Sequence, residues 1–397
     1  MIIKPSIRSN FFTNSHPLGC RQNVLNQINE VKSLPSFDGP KNVLIIGGSS
    51  GYGLASRIAL AYASSANTIN VSFENEPKGS KTGSAGWWNN IYFQEFSKET
   101  NQIHKDFIGD AFSPEMKENV IKFVKEKFGK LDLIVYSLAS GGRLNYQTNE
   151  LVRSHIKTIG EDAVGKTIDI INMKIDELTV TTANEQEIKD TVFVMGGSDW
   201  YDWITALDEA DVLNVGVKTI SYTYIGGPTT EKIYRGGTLG KAKEDLENHA
   251  QILTDILYHK YGGEALISSS KAVTTKASVF IPQMTIYVSC LYDVMSRHHV
   301  HESILLHKYR LYRDMVYGAK RIIDHKKRIR LDHLEMDPSI QEETIHMMTT
   351  LNNDELLQLN GTKMFLKDFY QINGFEFDEI DYNQDIDIEK LSKLKPE

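Results

Sequence analysis

The stretch SYTYIGGPTTEKIYRGGTLGKAKEDL, residues 221–246, places Tyr224, Tyr234, Lys241 and Lys243 just ahead of, or within, a helical pattern. A phenol beside an ammonium can do acid chemistry. The hydroxyl hydrogen-bonds or protonates a substrate oxygen, and a nearby cation makes it a better acid. Two pairs are possible, Tyr234 with Lys241 (Tyr-x6-Lys) and Tyr234 with Lys243 (Tyr-x8-Lys). On one continuous helix only the first pair shares a face. Gly236-Gly237 precede the helix, however, and Thr238 reads as its cap, so Tyr234 lies off the helix. Periodicity therefore leaves both lysines open. The plain alternative for Tyr234 is a packed aromatic with its hydroxyl at the surface.

Such a pair needs a reactant beside it, and the first sixty residues suggest one. The apolar run NVLII (42–46) is followed by Gly47-Gly48-Ser49-Ser50-Gly51-Tyr52-Gly53 and then by the helical pattern GLASRIALAYA. The spacing G-x3-G-x-G differs from the commoner G-x-G-x-x-G, but the physics is shared. Glycines let the backbone turn tightly against a pyrophosphate, which sits on the N–H groups at a helix N-terminus. A strand before and a helix after supply the context that such a motif requires. The next strand, NTINVSF (67–73), ends at Phe73-Glu74. A carboxylate there accepts from the adenine ribose hydroxyls and repels a 2′-phosphate. NADH is thus favoured over NADPH, with Lys78 and Lys81 as the counter-argument. Asp110 and Ala111, closing a third strand (103–112), reach the adenine side. Leu138 and Ala139, closing a fourth (131–140), line the nicotinamide side.

Strands alternating with helices imply an α/β fold of the Rossmann type, a doubly wound parallel sheet flanked by helices. The core is expected over about 40–140 and 215–330. Ser113-Pro114 reads as an N-cap and first-turn proline. Residues 166–181 alternate like a half-exposed hairpin, so about 141–200 reads as an insertion. The helix after the tyrosines is expected from about Thr238 to Tyr261. Residues 331–397 read as a helical extension, with 378–397 a solvated tail or surface element.

Composition narrows the partners. A net charge of −8 argues against nucleic acid. The apolar stretch 278–295 is broken by Pro282, Gln283 and Asp293, which reads as core or pocket wall, not a membrane span. Ile281, Pro282, Met284 and Ile286 are candidates for that wall. Two cysteines, Cys20 and Cys290, make no disulfide framework and suit a reducing cytoplasm. The opening MIIKPSIRSNFF has no apolar leader pattern. Gly160 to Thr167 spells a P-loop, but a β pattern follows where a helix is required, and Glu161 and Asp162 would repel phosphates. His298, His299, His301 and Glu302 lack metal-ligand spacing and read as a solvated helix end. Cys20 has no visible base partner and reads as a small buried thiol.

The segments MIIKPSIRSN, HPLGC, NVLIIGGSSGYGLASRI, VSFE, GDAF, DLIVYSLAS, YTYIGGP, IYRGGTLGKAKEDL, SSSKAVTTKASVFIP and INGFEFDEIDY together resemble the FabV-type enoyl reductases, the trans-2-enoyl-CoA / enoyl-acyl-carrier-protein reductase family. The resemblance covers nearly the whole chain. It implies that Tyr234 and Lys243 form the catalytic pair, that Tyr224 contacts substrate, and that Ala272, Val273 and Thr274 are further cofactor contacts. It implies hydride transfer from NADH to Cβ of an enoyl thioester carried by coenzyme A or carrier protein. Departures are the polar SSSKAV and the insert LNYQTNELVRSH. A monomer is expected. Two other activities are weighed beside it, a ketoreductase of the short-chain dehydrogenase type and a non-catalytic NADH sensor. The Tyr–Lys pair argues against the sensor, which needs no proton donor.

Overall fold

Seven short strands form the sheet: β1 (Asn42–Ile46), β2 (Asn67–Ser72), β3 (His104–Ile108), β4 (Leu131–Tyr136), β5 (Leu213–Thr223), β6 (Glu264–Ser269) and β7 (Ile329–Arg330). All pairings are parallel, in the order β7-β6-β5-β4-β1-β2-β3. NVLII can be apolar throughout because both faces of its strand are covered. Leu44 and Ile46 face one side, with Ile134, Trp200, Trp203, Leu246 and Leu253. Val43 and Ile45 face the other, with Val135, Leu60, Leu311 and Tyr312. This computed structural model describes residues 1–8 and 10–396.

The helices that bear on the site are α1 (Pro17–Lys32), α2 (Gly51–Ala63), α3 (Ala85–Ser97), α4 (Pro114–Phe123), α5 (Glu185–Met195), α6 (Ser198–Glu209), α7 (Thr238–Tyr261), α8 (Met284–Arg297), α9 (Ile304–Arg310), α10 (Pro338–Thr350) and α11 (Asn360–Gln371). Ser113 caps α4 by accepting from the Met116 N–H, with Pro114 in the first turn, as the local signal requires. Two hairpins lie between β4 and β5, Gly142–Asn145 with Glu150–Arg153 and Ala163–Asp169 with Lys174–Val180. Lys166 and Thr167 sit inside a strand, so the P-loop spelling is a β element. Helix α6 begins inside the span expected as insertion, yet Trp200 and Trp203 bury it on the sheet.

Two readings need correction. Thr238 is the first helical residue and not the cap, which is Gly237. The Thr238 hydroxyl instead donates to the carbonyls of His155 and Lys157, tying the hairpin region to α7. Glu302 is not a solvated helix end: it is buried and holds His307 at 2.6 Å and Arg310 at 2.8 Å. The acidic C-terminal segment is a surface element with anchors, since Ile386 and Ile388 are buried. Ile386 packs with Ile3 and Phe375, and its N–H donates to the Met1 carbonyl.

The HPLGC and INGF segments explain each other. A Cβ on Gly19 would lie 1.6 Å from the Gly374 carbonyl oxygen, so α1 and the C-terminal turn touch backbone to backbone. Cys20 is buried there, its thiol pushed up to about 12 chiefly by burial.

Candidate active site

Sterics dictate the turn after β1. Gly47 has φ +93°, and a Cβ there would lie 2.4 Å from the Ser137 carbonyl oxygen. A Cβ on Gly53 would lie 1.9 Å from the Gly47 carbonyl oxygen. The turn is thus pressed against the end of β4, at the switch point where strand order reverses and such sheets bind ligands. Ser50, the N-cap of α2, makes no side-chain capping bond, so the first N–H groups of α2 keep their capacity for an anion.

Glu74 lies across this turn. Its Oε1 accepts from Ser49 Oγ at 2.5 Å, and its Oε2 accepts from Ser84 Oγ. The carboxylate rests on the first turn of α3, where a helix N-terminus favours negative charge. Gly86 makes room for it; a Cβ there would lie 2.0 Å from Oε1. Phe73 beside it turns to solvent. Asp110 is engaged by its neighbours, accepting from the Phe112 N–H at 2.9 Å and from the Tyr146 hydroxyl at 2.8 Å. Ala111 is buried, and its carbonyl accepts from the Trp203 indole. Leu138 and Ala139 follow the end of β4, beside Gly47.

Loop 270–275 closes the opposite wall. The Tyr52 hydroxyl donates to the Lys271 carbonyl, and a Cβ on Gly51 would meet Thr275 Cγ2 at 3.5 Å. Ala272, Val273 and Thr274 are buried, and each has its backbone held. Ala272 N–H donates to Glu335 Oε2 at 2.6 Å, Thr274 N–H donates to the Tyr292 hydroxyl at 3.0 Å, and Ser278 Oγ donates to the Val273 carbonyl at 2.8 Å. Behind the loop, Lys271 N–H donates to His307 Nε2 at 3.2 Å, which leaves Nδ1 to donate to Glu302. Lys308 donates to Ser270 Oγ at 2.7 Å and lies 3.5 Å from the Tyr222 ring centroid.

Tyr224 follows the last residue of β5, and Tyr234 sits in the turns before α7. Their rings meet edge-on, with centroids 4.9 Å apart at 86°. The Tyr224 hydroxyl donates to Glu335 Oε1 at 3.1 Å. Among the described residues no side-chain partner holds the Tyr234 hydroxyl, which leaves its proton available to a ligand. Burial pushes that phenol up to about 12, and the cation opposing the rise is Arg235. Arg235 Nη2 itself donates to both oxygens of Glu247, at 2.8 Å each.

The two lysines separate in space. Lys241 is exposed and pairs with Glu244 at 2.9 Å. Lys243 turns inward and donates to the Tyr222 carbonyl at the end of β5, at 3.2 Å. Burial lowers its ammonium to about 8, with Glu247 holding it up and Arg235 pushing it down. Of the proposed acyl wall, Met284 and Ile286 are buried in α8, within the cluster that contains Tyr224 and Tyr234; Ile281 packs at its margin and Pro282 is half-buried.

Sequence reasoning missed Glu335, Tyr287 and Gln341. Glu335 is fully buried and also accepts from the Tyr287 hydroxyl at 2.7 Å. Gln341 Nε2 donates to the Tyr287 oxygen at 2.9 Å. Nothing in the spacing of LEMDPSIQ points back to residue 224, more than a hundred positions away. Only a glutamate among apolar neighbours hinted at it.

The family model described as "Trans-2-enoyl-CoA reductase catalytic region" matches residues 81–317, and "NAD(P)H binding domain of trans-2-enoyl-CoA reductase" matches 2–79. A third, "Enoyl reductase FAD binding domain", matches 323–386. The residues there do not fit a flavin. Their two glycines, Gly361 and Gly374, have their Cβ positions filled by the carbonyl oxygens of Ser289 at 1.9 Å and His16 at 2.4 Å. They serve backbone contact and cradle nothing, while Phe365 and Phe369 are packed into the α8 cluster. The trans-2-enoyl-CoA reductase (NADH) of Clostridium acetobutylicum is 43% identical over 398 residues, covering 100% of both chains. The enoyl-acyl-carrier-protein reductase (NADH) 2 of Photobacterium profundum is 45% identical, covering 99% of this chain and 100% of that one. The crystal structure of the Clostridium enzyme in complex with NADH superposes with a TM-score of 0.97 at 43% identity, covering 100% of both chains. That of the Treponema denticola trans-2-enoyl-CoA reductase in complex with NAD gives 0.91 at 38% identity, covering 97% of this chain and 98% of that one. A glycine turn answered by a carboxylate at the end of β2, an inward phenol and lysine at the end of β5, and full-length likeness all agree: the chain belongs to the trans-2-enoyl-CoA reductase family.

Proposed function

We propose that this protein reduces the trans-2 double bond of an enoyl thioester, with NADH as reductant and Tyr234, Lys243 and Tyr224 as its working side chains. One observation supports this most. Tyr234, whose hydroxyl has no side-chain partner among the described residues, stands edge-on to Tyr224, on the strand end where Lys243 is anchored, while Tyr52 and loop 270–275 join that region to the glycine turn.

NADH supplies a hydride from its dihydronicotinamide, which becomes the new Cβ–H bond of the substrate. The turn 47–52 would hold the pyrophosphate, Glu74 the adenine ribose, and Ala272 to Thr274 the nicotinamide end, with Asp110, Ala111, Leu138 and Ala139 along the crevice. Lys243 would hold the nicotinamide ribose. As Cβ–H forms, negative charge moves to the thioester oxygen. Tyr234 donates to that oxygen, Tyr224 assists, and a proton from Tyr234 completes the saturated product at Cα. A preorganised donor of this kind lowers the barrier by about 3–4 kcal/mol. Burial of both tyrosines keeps water from competing for the same oxygen.

Coenzyme A and carrier protein present the same phosphopantetheine thioester, so the reacting group is common to both. No helix among the described residues is long and apolar enough to cross a membrane. We read the protein as a cytoplasmic monomer, a reading supported by two free, buried cysteines and by the hairpins and C-terminal helices that enlarge the fold. Following NADH absorbance with crotonyl-CoA and, separately, acetoacetyl-CoA tests the activity. Oxidation with crotonyl-CoA is expected. Oxidation with acetoacetyl-CoA alone would identify a ketoreductase, and oxidation with neither a sensor.

A further inference from the structure

Glu335 is a carboxyl group with no exposure and, among the described residues, no cation within ion-pairing distance. Its Oε2 takes the Ala272 N–H, and its Oε1 faces two phenols, Tyr224 at 3.1 Å and Tyr287 at 2.7 Å. Hydroxyl valence decides what this arrangement can do. A phenol has one proton. The Thr230 and Tyr287 hydroxyls also lie against the Tyr224 hydroxyl, but an ionised Glu335 can only accept and, as the one charged acceptor of the three, draws the single Tyr224 proton to Oε1. Tyr224 then has none for a substrate oxygen.

A protonated Glu335 reverses this. Gln341 Nε2 donates into the Tyr287 oxygen at 2.9 Å, and the same nitrogen donates to the Glu335 main-chain carbonyl at 2.8 Å, which orients the amide. Tyr287 is therefore held as a donor to Oε1. A proton on Oε1 consequently points at Tyr224. We infer that Glu335 is a positioning residue for the reduction: in its protonated form it donates to Tyr224, so that the single Tyr224 proton turns to the substrate carbonyl oxygen. This rests on the proposal that Tyr224 contacts the substrate. No bond of the substrate is made or broken by Glu335, and its proton is not consumed.

The surroundings favour the protonated form. Burial, the largest cause, pushes the carboxyl up to about 7; Asp332 adds to the rise, and the hydrogen bonds from Tyr287, Ala272 N–H and Tyr224 oppose it. Lys271, Arg330 and Tyr52 also lie within electrostatic reach of it. Lys271 and Arg330 are committed elsewhere, to the Glu302 carbonyl at 2.7 Å and to Asp332 at 2.8 Å. The Tyr52 hydroxyl donates to the Lys271 carbonyl. The protonated fraction of Glu335 therefore changes across the neutral range.

The test is the pH profile of kcat/KM for crotonyl-CoA in wild type, E335Q, Y224F and the double variant, with NADH affinity by fluorescence titration and Tm recorded for each. In wild type, kcat/KM should fall tenfold per pH unit above an apparent pKa near 7. E335Q keeps an N–H donor at every pH, so this limb should vanish while NADH affinity stays within about twofold. In the Y224F background E335Q should change nothing further, because the path runs through the missing hydroxyl. As a second variant, Y287F removes a hydrogen bond to ionised Glu335, so the limb should move to higher pH. The proposal is overturned if E335Q keeps the limb, if E335Q lowers kcat/KM by the same factor with and without the Tyr224 hydroxyl, or if Y287F leaves the limb in place. Wild-type turnover in Y224F would overturn it together with the substrate role of Tyr224. No NADH oxidation by wild type would overturn the reductase reading itself.

Discussion

Asp106 and Glu335 are both buried carboxyl groups, one beneath the glycine turn and one beneath Tyr224 and Tyr287, and they are satisfied by opposite means. Asp106 on β3 is met by the Arg57 guanidinium at 2.7 and 3.3 Å, by Gln94 at 2.9 Å and by Asn70 at 2.8 Å. Asn70 in turn accepts from the Gly48 N–H at 2.8 Å, so the ion pair braces the glycine turn. Arg57 also stacks on Phe93 at 3.9 Å. Glu335 has phenols and an amide instead of a cation. A carboxylate paired in place with a guanidinium makes a rigid platform. A carboxyl buried without a counter-ion can gain or lose a proton near neutrality. The glycine-turn side is accordingly braced by an ion pair, and the Tyr224 side carries a carboxyl group held by phenols and a backbone N–H.

This contrast can be broken in stability and in turnover. Arg57→Met leaves Asp106 buried and unpaired. Removing one partner of a buried pair costs about 3–5 kcal/mol, so urea unfolding should show a loss of that size. A small loss would mean that Asp106 is not charged. Tyr234→Phe should lower kcat about 10²- to 10³-fold in steady-state assays, with NADH affinity nearly unchanged. A large loss of NADH affinity would place Tyr234 on the cofactor wall instead.

The two sides should also differ in response to pH. The carboxyl of Glu335 is raised in the folded state, so its stabilising contribution is complete below its ordinary value of 4.5 and is lost as pH rises through about 7. E335Q has no such loss. The Tm of E335Q relative to wild type should therefore climb between pH 4.5 and about 7 and level off above. A constant difference would contradict the raised carboxyl. Smallest in effect is Glu74→Ala. Losing one charged hydrogen-bond acceptor costs about 1.5 kcal/mol, so the preference for NADH over NADPH should narrow about tenfold in kcat/KM. An unchanged ratio would remove Glu74 from the ribose site.

The glycine turn and the strand and helix that flank it were largely legible in the linear chain. NVLII, the glycines and GLASRIALAYA are contiguous, and the Gly53–Gly47 approach is a local one, although the press of Gly47 against Ser137 is not. Also legible was α7, whose limits at Thr238 and Tyr261 are those the pattern implies. Strand ends were less legible: β3 stops at Ile108 and β4 at Tyr136, each four residues early, because the apolar run continues into the loop that lines the crevice. Thr238 was misread as a cap because a threonine before a helical pattern looks the same whether its oxygen serves its own helix or a neighbouring chain. Glu302 was misread because a charged residue beside histidines carries no mark of the arginine that buries it.

What the sequence by itself determined is the set of local geometries: parallel strands, the turn that only glycine can make, the carboxylate that closes β2, and a phenol near two lysines. Periodicity left both lysines open, since Tyr234 lies off the helix; the family resemblance pointed to Lys243, and the tertiary structure turns Lys243 inward and leaves Lys241 exposed. It alone brought Glu335 and Tyr287 to Tyr224, across 111 and 63 residues of chain. Backbone sterics act between neighbours in sequence, whereas burial and hydrogen-bond partnership act between neighbours in space, and folding is what makes the second kind of neighbour.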